Sequence, residues 1–287
     1  MNIEQYTDSL ISTFCDLGVK KADILYISSD VTLLTLDALR KCGLKGKKDI
    51  DEFYSVLINS MQEMVGDEGT LMFPVFTWSF CRNIPYDEKK TKGEVGALGN
   101  WVLNNRKDFR RTKHPLYSFM VWGRDAGKLV DMNNRTAWGK DSPFAYLHAM
   151  HAKNLIINVS LSGSFTFLHY VEETIGVPHR YYKDFHGQYL DAAGNSKERT
   201  YTMFVRDLDI ESKQVTPDDC LVDAQVAKKV TFGNINLQLV DLFGAFPVIE
   251  ENLRYHNGDN WYDFMGYKLD WDKGQTHPDE TDMLFDK

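Results

Sequence analysis

The fold is indicated most clearly by residues 154–175, whose sequence is NLIINVSLSGSFTFLHYVEETI. The run 154–160 is apolar and of strand length, and the Ser- and Gly-rich residues 160–164 are typical of a turn. Ser164 is a favourable N-cap, and the spacing of the residues that follow predicts a helix over 165–175. A strand joined by a short turn to a helix is the repeating unit of an α/β fold.

The same alternation continues on both sides of this stretch. The pattern predicts helices over 4–17, 50–65, 95–104 and 143–150, strands over 23–28, 70–76 and 117–122, and an antiparallel edge strand over 199–206. We therefore expect an α/β fold with a mixed, largely parallel central sheet flanked by helices. It would form one domain over 1–287, with residues 190–287 packed on it as the C-terminal portion. Since ligands bind beyond the carboxyl ends of such strands, the site is expected at the loops after Ile27, Phe76, Gly123 and Val159.

Composition and charge exclude several classes of protein. Lys and Arg number 33 against 41 Asp and Glu, and the net charge of −8 disfavours a nucleic-acid partner, which requires a surplus of positive charge. The first residues, MNIEQYTDSL, lack the basic start of a secretory signal, and no apolar run approaches the ~18–20 residues that span a bilayer. The four cysteines form no C-x-x-C pair. These features predict a cytoplasmic protein with no membrane or nucleic-acid partner.

His169 and Glu172 are the strongest candidates for catalysis. They lie three residues apart in the helix predicted over 165–175, so both project from one face. A carboxylate held against one imidazole nitrogen makes the other nitrogen a better base. The same spacing also occurs in ordinary surface pairs, and both interpretations remain open on spacing alone.

His148 and His151 form a second candidate pair, one turn apart near the end of the helix predicted over 143–150. Two histidines at this spacing can face one zinc ion, which in a hydrolase needs a further protein ligand and an open position. No His-Glu-x-x-His motif accompanies them, and a solvated helix end is the simpler interpretation.

Two segments have the features of anion sites. Residues 106–113 contain five bases, which either complement the dipole of the preceding helix or clamp a phosphate. Residues 93–99, GEVGALG, open a helix whose free N–H groups favour an anion, although they match no known phosphate-loop motif.

The last thirty residues, 258–287, combine eight acids with several aromatic residues. The simpler interpretation is a terminal segment that packs on the body through its aromatic side chains. The functional interpretation is an acidic and aromatic wall that recognises a sugar or an amine.

Taken in order, several motifs resemble the aminoglycoside 3-N-acetyltransferase family. The resemblance covers roughly residues 10–185, and motifs in the same order and spacing are more specific than any one alone. The matching segments are ILYISS (24–29), GDEGTLMFPVFT (66–77), TKGEVGAL (91–98), RTKHPLYS (111–118), WG (122–123), GKDSP (139–143), TFLHYVEE (166–173) and VPHRY (177–181).

The resemblance implies the family's own α/β sandwich and acetyl transfer from acetyl-CoA, as a co-substrate without a metal, to a small-molecule amine. It places the catalytic pair at His169 and Glu172, and it is compatible with a homodimer. The coenzyme A contacts that it implies, together with the neighbouring bases that charge adds, are Ser28, Ser29, Thr91, Gly93, Gly96, Arg110, Arg111, His114 and Ser118.

The sequence departs from the drug-modifying members in two places. Ile27-Ser28-Ser29-Asp30 replaces a His-Ser-Ser motif, and Thr91-Lys92-Gly93 replaces a Thr-Pro-Ser motif. The first form resembles relatives of surface-polysaccharide synthesis, so the acceptor is expected to be an aminoglycoside, as in antibiotic resistance, or a nucleotide-linked amino sugar. The alternatives are a metal-dependent hydrolase that uses His148 and His151, and a non-catalytic protein that binds carbohydrate or coenzyme A.

Overall fold

A computed structural model describes residues 1–215, 217 and 219–277. Its strands are β1 (Ile24–Ser29), β2 (Thr70–Phe76), β3 (Tyr86–Asp87), β4 (Arg110–Arg111), β5 (Tyr117–Gly123), β6 (Lys153–Ile157), β7 (Arg180–Leu190), β8 (Ser196–Arg206), β9 (Lys213–Gln214), β10 (Ala227–Phe232), β11 (Ile235–Asp241) and β12 (Tyr262–Asp263).

The helices are α1 (Ile3–Leu17), α2 (Thr32–Cys42), α3 (Lys47–Val65), α4 (Ala97–Asn105), α5 (Ala126–Asp131), α6 (Pro143–Ala149), α7 (Leu161–Ser164), α8 (Phe167–Ile175), α9 (Cys220–Asp223) and α10 (Leu242–Tyr255). None of the helices in this part of the chain is both long and apolar enough to span a bilayer.

Local sequence explains where several helices begin. Helix α1 starts at a capping box, in which the Asn2 side chain accepts from the Gln5 N–H and the Gln5 side chain accepts from the Asn2 N–H. Helix α6 starts at Ser142, whose hydroxyl accepts from the Ala145 N–H, and the following Pro143 suits the first helical position.

The central sheet has seven strands in the order β10-β11-β6-β1-β2-β5-β4. The pairs β6–β1 and β1–β2 are parallel, whereas the four outer pairs of this sheet are antiparallel. The sheet is mixed, as predicted, but it contains fewer parallel pairs than the alternation of helices and strands indicates. The reason is that β5 and β11 return to the sheet in the opposite direction, which an apolar pattern does not encode.

The two faces of this sheet carry separate apolar clusters. Residues such as Leu25, Ile27 and Phe73 point to the face covered by α1, α3 and α4. Residues such as Tyr26 and Ile156 point to the face covered by α6, α8 and α10. Since side chains alternate along a strand, β1 serves both clusters and lies at the centre of the core.

A smaller sheet and a short ribbon complete the fold. Strands β7 and β8 form a long antiparallel hairpin, and β3 adds to its edge. The predicted edge strand over 199–206 belongs to this hairpin and not to the central sheet. Strands β9 and β12 pair only with each other, with Tyr262 opposite Gln214. This two-stranded ribbon brings the C-terminal residues against the body of the protein.

The predicted helix over 165–175 starts later than expected. Ser160, and not Ser164, acts as a cap: its hydroxyl accepts from the Gly163 N–H and starts the four-residue helix α7. Helix α8 then begins at Phe167, after Thr166, without a side-chain cap. The sequence pattern also missed α2, α10 and strands β7, β10 and β11.

Candidate active site

A cleft opens at the carboxyl ends of β1, β2 and β6 and has a volume of about 500 Å³. The expected loops after Ile27, Phe76 and Val159 line it. The loop after Gly123 does not line the cleft. Strand β5 is antiparallel to β2, so Gly123 lies opposite Thr70, at the ends of the strands that are far from the cleft. The amino end of β5 faces the cleft instead and contributes Tyr117.

His169 projects from α8 into this cleft and contacts Glu172 on the same helix. The distance from His169 Nδ1 to Glu172 Oε2 is 2.7 Å. The His169 side chain is 26% exposed, whereas Glu172 is fully buried. The spacing of three residues therefore places the imidazole between a buried carboxylate and the open cleft.

The carboxylate of Glu172 has three further polar neighbours. Arg180 Nε lies 3.0 Å from Oε2, and the Tyr262 hydroxyl donates to Oε1 at 2.7 Å. The buried His179 has its Nε2 3.3 Å from Oε1. A buried carboxylate with several donors is stabilised in its charged form. The counter-charge of Arg180 and the His169 contact outweigh the effect of burial and hold the pKa of Glu172 well below its usual range.

The environment of His169 favours the neutral imidazole. Burial, and then the charge of Arg180, lower the pKa of His169, although Glu172 acts in the opposite direction. An ionised carboxylate only accepts hydrogen bonds, so we place the proton of His169 on Nδ1, facing Glu172. This tautomer leaves the Nε2 lone pair free to accept a proton.

Sequence reasoning missed Arg180, Tyr262 and His179 as parts of this site. Arg180 and His179 follow the end of α8, and Tyr262 comes from β12, so no periodic spacing links them to Glu172. The available signals were the two basic side chains after the helix and the aromatic character of the C-terminal segment.

Among the expected cofactor contacts, Ser28, Ser29 and Gly96 line the cleft. Gly96 precedes α4 with φ 79°, a conformation that favours glycine, and an added Cβ would lie 3.1 Å from the Pro74 carbonyl oxygen. In the described part of the chain, the N–H groups of Val95, Gly96 and Ala97 have no hydrogen-bond acceptor. They are free to bind an anion at the start of α4.

Thr91 and Gly93 shape the neighbouring loop instead of lining the cleft. The Thr91 hydroxyl accepts from the Asp87 N–H. The N–H and carbonyl of Gly93 both bond to the Asn100 side chain, at 2.8 and 2.9 Å.

The remaining expected contacts lie away from the cleft, and the basic run does not form the predicted phosphate clamp. The Arg111 guanidinium is buried and donates to Ser118 Oγ and to the carbonyls of Glu88, Thr91 and Val75. Arg106 is bonded to Asp108, Asn59 and Gln62, and Arg110 is exposed on the edge strand β4. His114 and Ser118 are buried within the core.

His148 and His151 do not come together with a third ligand in the described residues. His148 Nδ1 lies 3.0 Å from the Tyr170 hydroxyl, and its ring stacks on Phe246. The His151 ring stacks on Phe243, beyond the end of α6. The group that could share a cation is elsewhere and consists of Asp207, Asp209 and His277.

The C-terminal segment packs on the body through its aromatic residues, as the simpler interpretation predicts. Trp261, Tyr262 and Phe264 are buried, and Tyr262 also reaches the carboxylate of Glu172. Residues 278–287 of the predicted segment lie outside the described residues.

Comparison with known proteins identifies the family. The family model for aminoglycoside 3-N-acetyltransferases matches residues 41–254. No curated protein sequence matches the chain.

Three solved structures of similar fold each share less than a quarter of their sequence with this chain. The aminoglycoside acetyltransferase AAC(3)-Xa is 18% identical, with a TM-score of 0.68 over 86% of this chain and 93% of that one. AAC-IIIb, solved as a binary complex with CoASH, is 18% identical, with a TM-score of 0.67 over 86% and 96%. AAC-VIa, bound to sisomicin, is 19% identical, with a TM-score of 0.67 over 87% and 97%. With the family model matching most of its length, the chain belongs to the aminoglycoside 3-N-acetyltransferase family of enzymes.

Proposed function

We propose that this protein transfers an acetyl group from acetyl-CoA to the amine of an amino sugar, with His169 as general base and Glu172 as its orienting carboxylate. The observation that carries the proposal is the 2.7 Å contact between His169 Nδ1 and Glu172 Oε2 at the wall of the cleft. It fixes the imidazole with Nε2 directed away from the carboxylate and available to the acceptor.

The base is needed because an alkyl ammonium cannot attack a carbonyl carbon. Its reference pKa is about 10.4, so at neutral pH the acceptor nitrogen must lose a proton first. His169 Nε2 takes this proton, and Glu172 stabilises the resulting imidazolium. General-base assistance of this kind contributes about 10²–10⁴-fold, and alignment of the reactants in the cleft contributes more.

The cleft has the features that a thioester of coenzyme A requires. Phe76, Trp78 and Phe165 give apolar walls for a flexible arm, while the free N–H groups before α4 could bind an anion. The close approach of Gly96 to Pro74 leaves little room for a Cβ at this turn. Acetyl-CoA supplies an acyl carbon that the amine attacks and a thiolate that leaves as the C–S bond breaks. The crystallised AAC-IIIb complex with CoASH supports this donor.

Ser118 does not supply a donor for the developing oxyanion. Its hydroxyl bonds to the Val75 carbonyl and accepts from Arg111, which leaves it inside the core. Ser28 and Ser29 lie at the cleft and are the candidates for a hydrogen-bond donor to the oxyanion.

The acceptor is proposed to be an aminoglycoside or a nucleotide-linked amino sugar. The AAC-VIa complex with sisomicin supports an aminocyclitol or amino sugar, since the folds are similar. Asp30 at the rim of the cleft offers a negative charge to an ammonium group. We also propose that the enzyme acts in the cytoplasm, where acetyl-CoA is available.

The test is a thiol-release assay with acetyl-CoA and a panel of acceptors. The panel contains an aminoglycoside, a nucleotide-linked amino sugar and, for each, the analogue with a hydroxyl in place of the amine. We expect release only with the amines, and a loss of about 10²-fold or more in kcat for His169→Ala and Glu172→Gln. The matched control is His186→Ala, because His186 lies on the exposed hairpin and bonds only to Thr200 among the described residues.

Two results would contradict the proposal. Near wild-type kcat in both variants would exclude the His169–Glu172 pair as the base. Tight binding of coenzyme A without thiol release from any amine would favour a binding protein.

A further inference from the structure

Strand β12 of the ribbon lies beyond the part of the chain that the family model matches, yet it reaches the active site. The family match ends at residue 254, whereas β12 begins at Tyr262. Opposite Tyr262 in the ribbon is Gln214, which lines the cleft. One short element therefore contacts both the cleft and the buried carboxylate.

Tyr262 holds two members of the catalytic network at once. Its hydroxyl donates to Glu172 Oε1 at 2.7 Å and accepts from Arg180 Nη2 at 3.1 Å. Burial and the adjacent carboxylate raise the pKa of Tyr262 above its ordinary value, so the hydroxyl keeps the proton that it donates.

The position of Arg180 makes the second contact important. Arg180 Nη2 also lies 3.1 Å from His169 Nδ1, a nitrogen whose proton is already donated to Glu172. A protonated Nδ1 cannot accept, so this approach gives Arg180 no hydrogen bond there. The Tyr262 oxygen supplies the missing acceptor and thereby keeps the guanidinium from competing for the imidazole nitrogen.

The ribbon is anchored by the residues that directly precede Tyr262. The Trp261 ring stacks on Phe165, with centroids 6.1 Å apart, and the Trp261 carbonyl accepts from the Val215 N–H. Asn252 at the end of α10 fixes the preceding turn by donating to Asp259 at 2.7 Å and accepting from the Asn260 N–H. These contacts hold the tyrosine hydroxyl at a defined place beside Glu172.

We propose that Tyr262 is a positioning residue of the active site, which orients the Glu172 carboxylate and the Arg180 guanidinium so that the His169 imidazole presents Nε2 to the acceptor. The inference rests on the proposed role of His169 as general base. It extends the functional site into the C-terminal segment, outside the residues that carry the family resemblance.

The test compares Tyr262→Phe with Tyr267→Phe, the same substitution in the same segment. Tyr262→Phe keeps the ring and its packing on His179 and Phe264, and removes only the hydroxyl. We expect kcat to fall about 10-fold, while KM for acetyl-CoA changes less than about twofold. The acidic limb of the pH–rate profile should shift to a pH about half a unit higher. The reason is that Glu172 loses the hydrogen bond from the tyrosine hydroxyl and therefore stabilises the His169 imidazolium more strongly. Tyr267→Phe should match the wild type in all three measurements.

A second readout does not depend on turnover. The imidazole of His169 is titrated by NMR in the free wild-type protein and in Tyr262→Phe, with His169→Gln used to assign its signal. We expect the titration midpoint of His169 to lie about half a pH unit higher in Tyr262→Phe than in the wild type. If no amine releases thiol even with the wild type, the proposed function fails, and this titration still decides whether Tyr262 acts on His169.

The inference is overturned if the titration midpoint and kcat of Tyr262→Phe equal those of Tyr267→Phe. It is equally overturned if kcat falls but the midpoint stays in place, because the hydroxyl then affects turnover without acting on His169.

Discussion

Arg180 and His169 approach the same carboxylate oxygen: Arg180 Nε lies 3.0 Å from Glu172 Oε2, which His169 Nδ1 contacts at 2.7 Å. In a simple His–carboxylate pair the carboxylate raises the basicity of the imidazole. Here the guanidinium neutralises much of that effect, and the pKa of His169 is lowered by burial and by Arg180. The surroundings of the proposed base therefore favour its neutral form, at the expense of some proton affinity.

Replacing Arg180 should raise the pKa of His169. In Arg180→Gln the positive charge is lost and Glu172 acts on His169 unopposed, so the acidic limb of kcat/KM should move to higher pH. The variant should also lose about 3–5 kcal/mol of stability, because a buried carboxylate loses its counter-charge. Rate–pH profiles and urea unfolding check both effects, with the exposed Arg206→Gln as control. An acidic limb at or below the wild-type position would contradict this account of the base.

Buried His114 should make the protein labile to acid. Burial lowers the pKa of His114 to about 3, from an ordinary value of about 6.5. Below pH 6.5 the His114 side chain is therefore protonated in the unfolded chain but not in the folded protein. Stability falls for this reason as the pH drops toward 3. Between pH 7 and pH 4.5 we expect a loss of about 2–3 kcal/mol from this residue. Urea unfolding of the wild type and His114→Gln at the two pH values measures it, and equal pH dependence of the two proteins would refute the assignment.

Gly96 should matter for cofactor affinity and not for stability alone. An alanine there meets both a positive φ of 79° and the Pro74 carbonyl, so the start of α4 must shift. We expect Gly96→Ala to raise KM for acetyl-CoA about 10-fold or more. Gly194→Ala is the matched control, since Gly194 has φ 85° but nothing within 4 Å of its Cβ position. It should cost about 1 kcal/mol of stability and leave KM unchanged. Equal KM values in the two variants would place the anion site elsewhere.

Arg111 should prove to be structural, in contrast to the expectation from the sequence. Its guanidinium links β4 to the carbonyls of Glu88, Thr91 and Val75. Arg111→Met removes a hydrogen-bond donor from each of these carbonyls, so we expect a loss of about 3 kcal/mol or more in the free energy of unfolding. The folded variant should keep the wild-type KM for acetyl-CoA. A selective rise in that KM, with stability unchanged, would restore the phosphate-clamp interpretation.

The chain should unfold as one unit. Strands β10 and β11 come from the C-terminal portion, yet they extend the same sheet as β1 through the β11–β6 pair. We therefore propose a single domain and expect one coincident transition by far-UV circular dichroism and tryptophan fluorescence during urea unfolding. Two separated transitions, or a stable proteolytic fragment that ends near residue 190, would show two domains.

The site could be predicted from sequence where its geometry is local. His169 and Glu172 are three residues apart on one helix, and helical spacing alone brings them together. The family motifs added Ser28, Ser29 and Gly96, which do line the cleft. Their catalytic and binding roles remain predictions until the variants above are measured.

The parts of the site that could not be predicted depend on how distant segments of the chain return to the sheet. The direction of β5 decides that Tyr117, and not the loop after Gly123, faces the cleft, and an apolar strand pattern has no direction. Arg111 was predicted as a coenzyme A contact because charge density is visible in the sequence, whereas its carbonyl partners in the fold are not. Tyr262 lies 90 residues from Glu172, so only the folded chain shows their contact.

The ribbon that carries Tyr262 also sets an order of events during synthesis. The imidazole and carboxylate emerge from the ribosome well before the hydroxyl that holds them, since Tyr262 follows Glu172 by 90 residues. A nascent or prematurely terminated polypeptide that stops short of this tyrosine therefore possesses both groups of the proposed base but not the contact that aligns them. Competence for turnover would be acquired only once Tyr262 has been synthesised and has folded against the carboxylate.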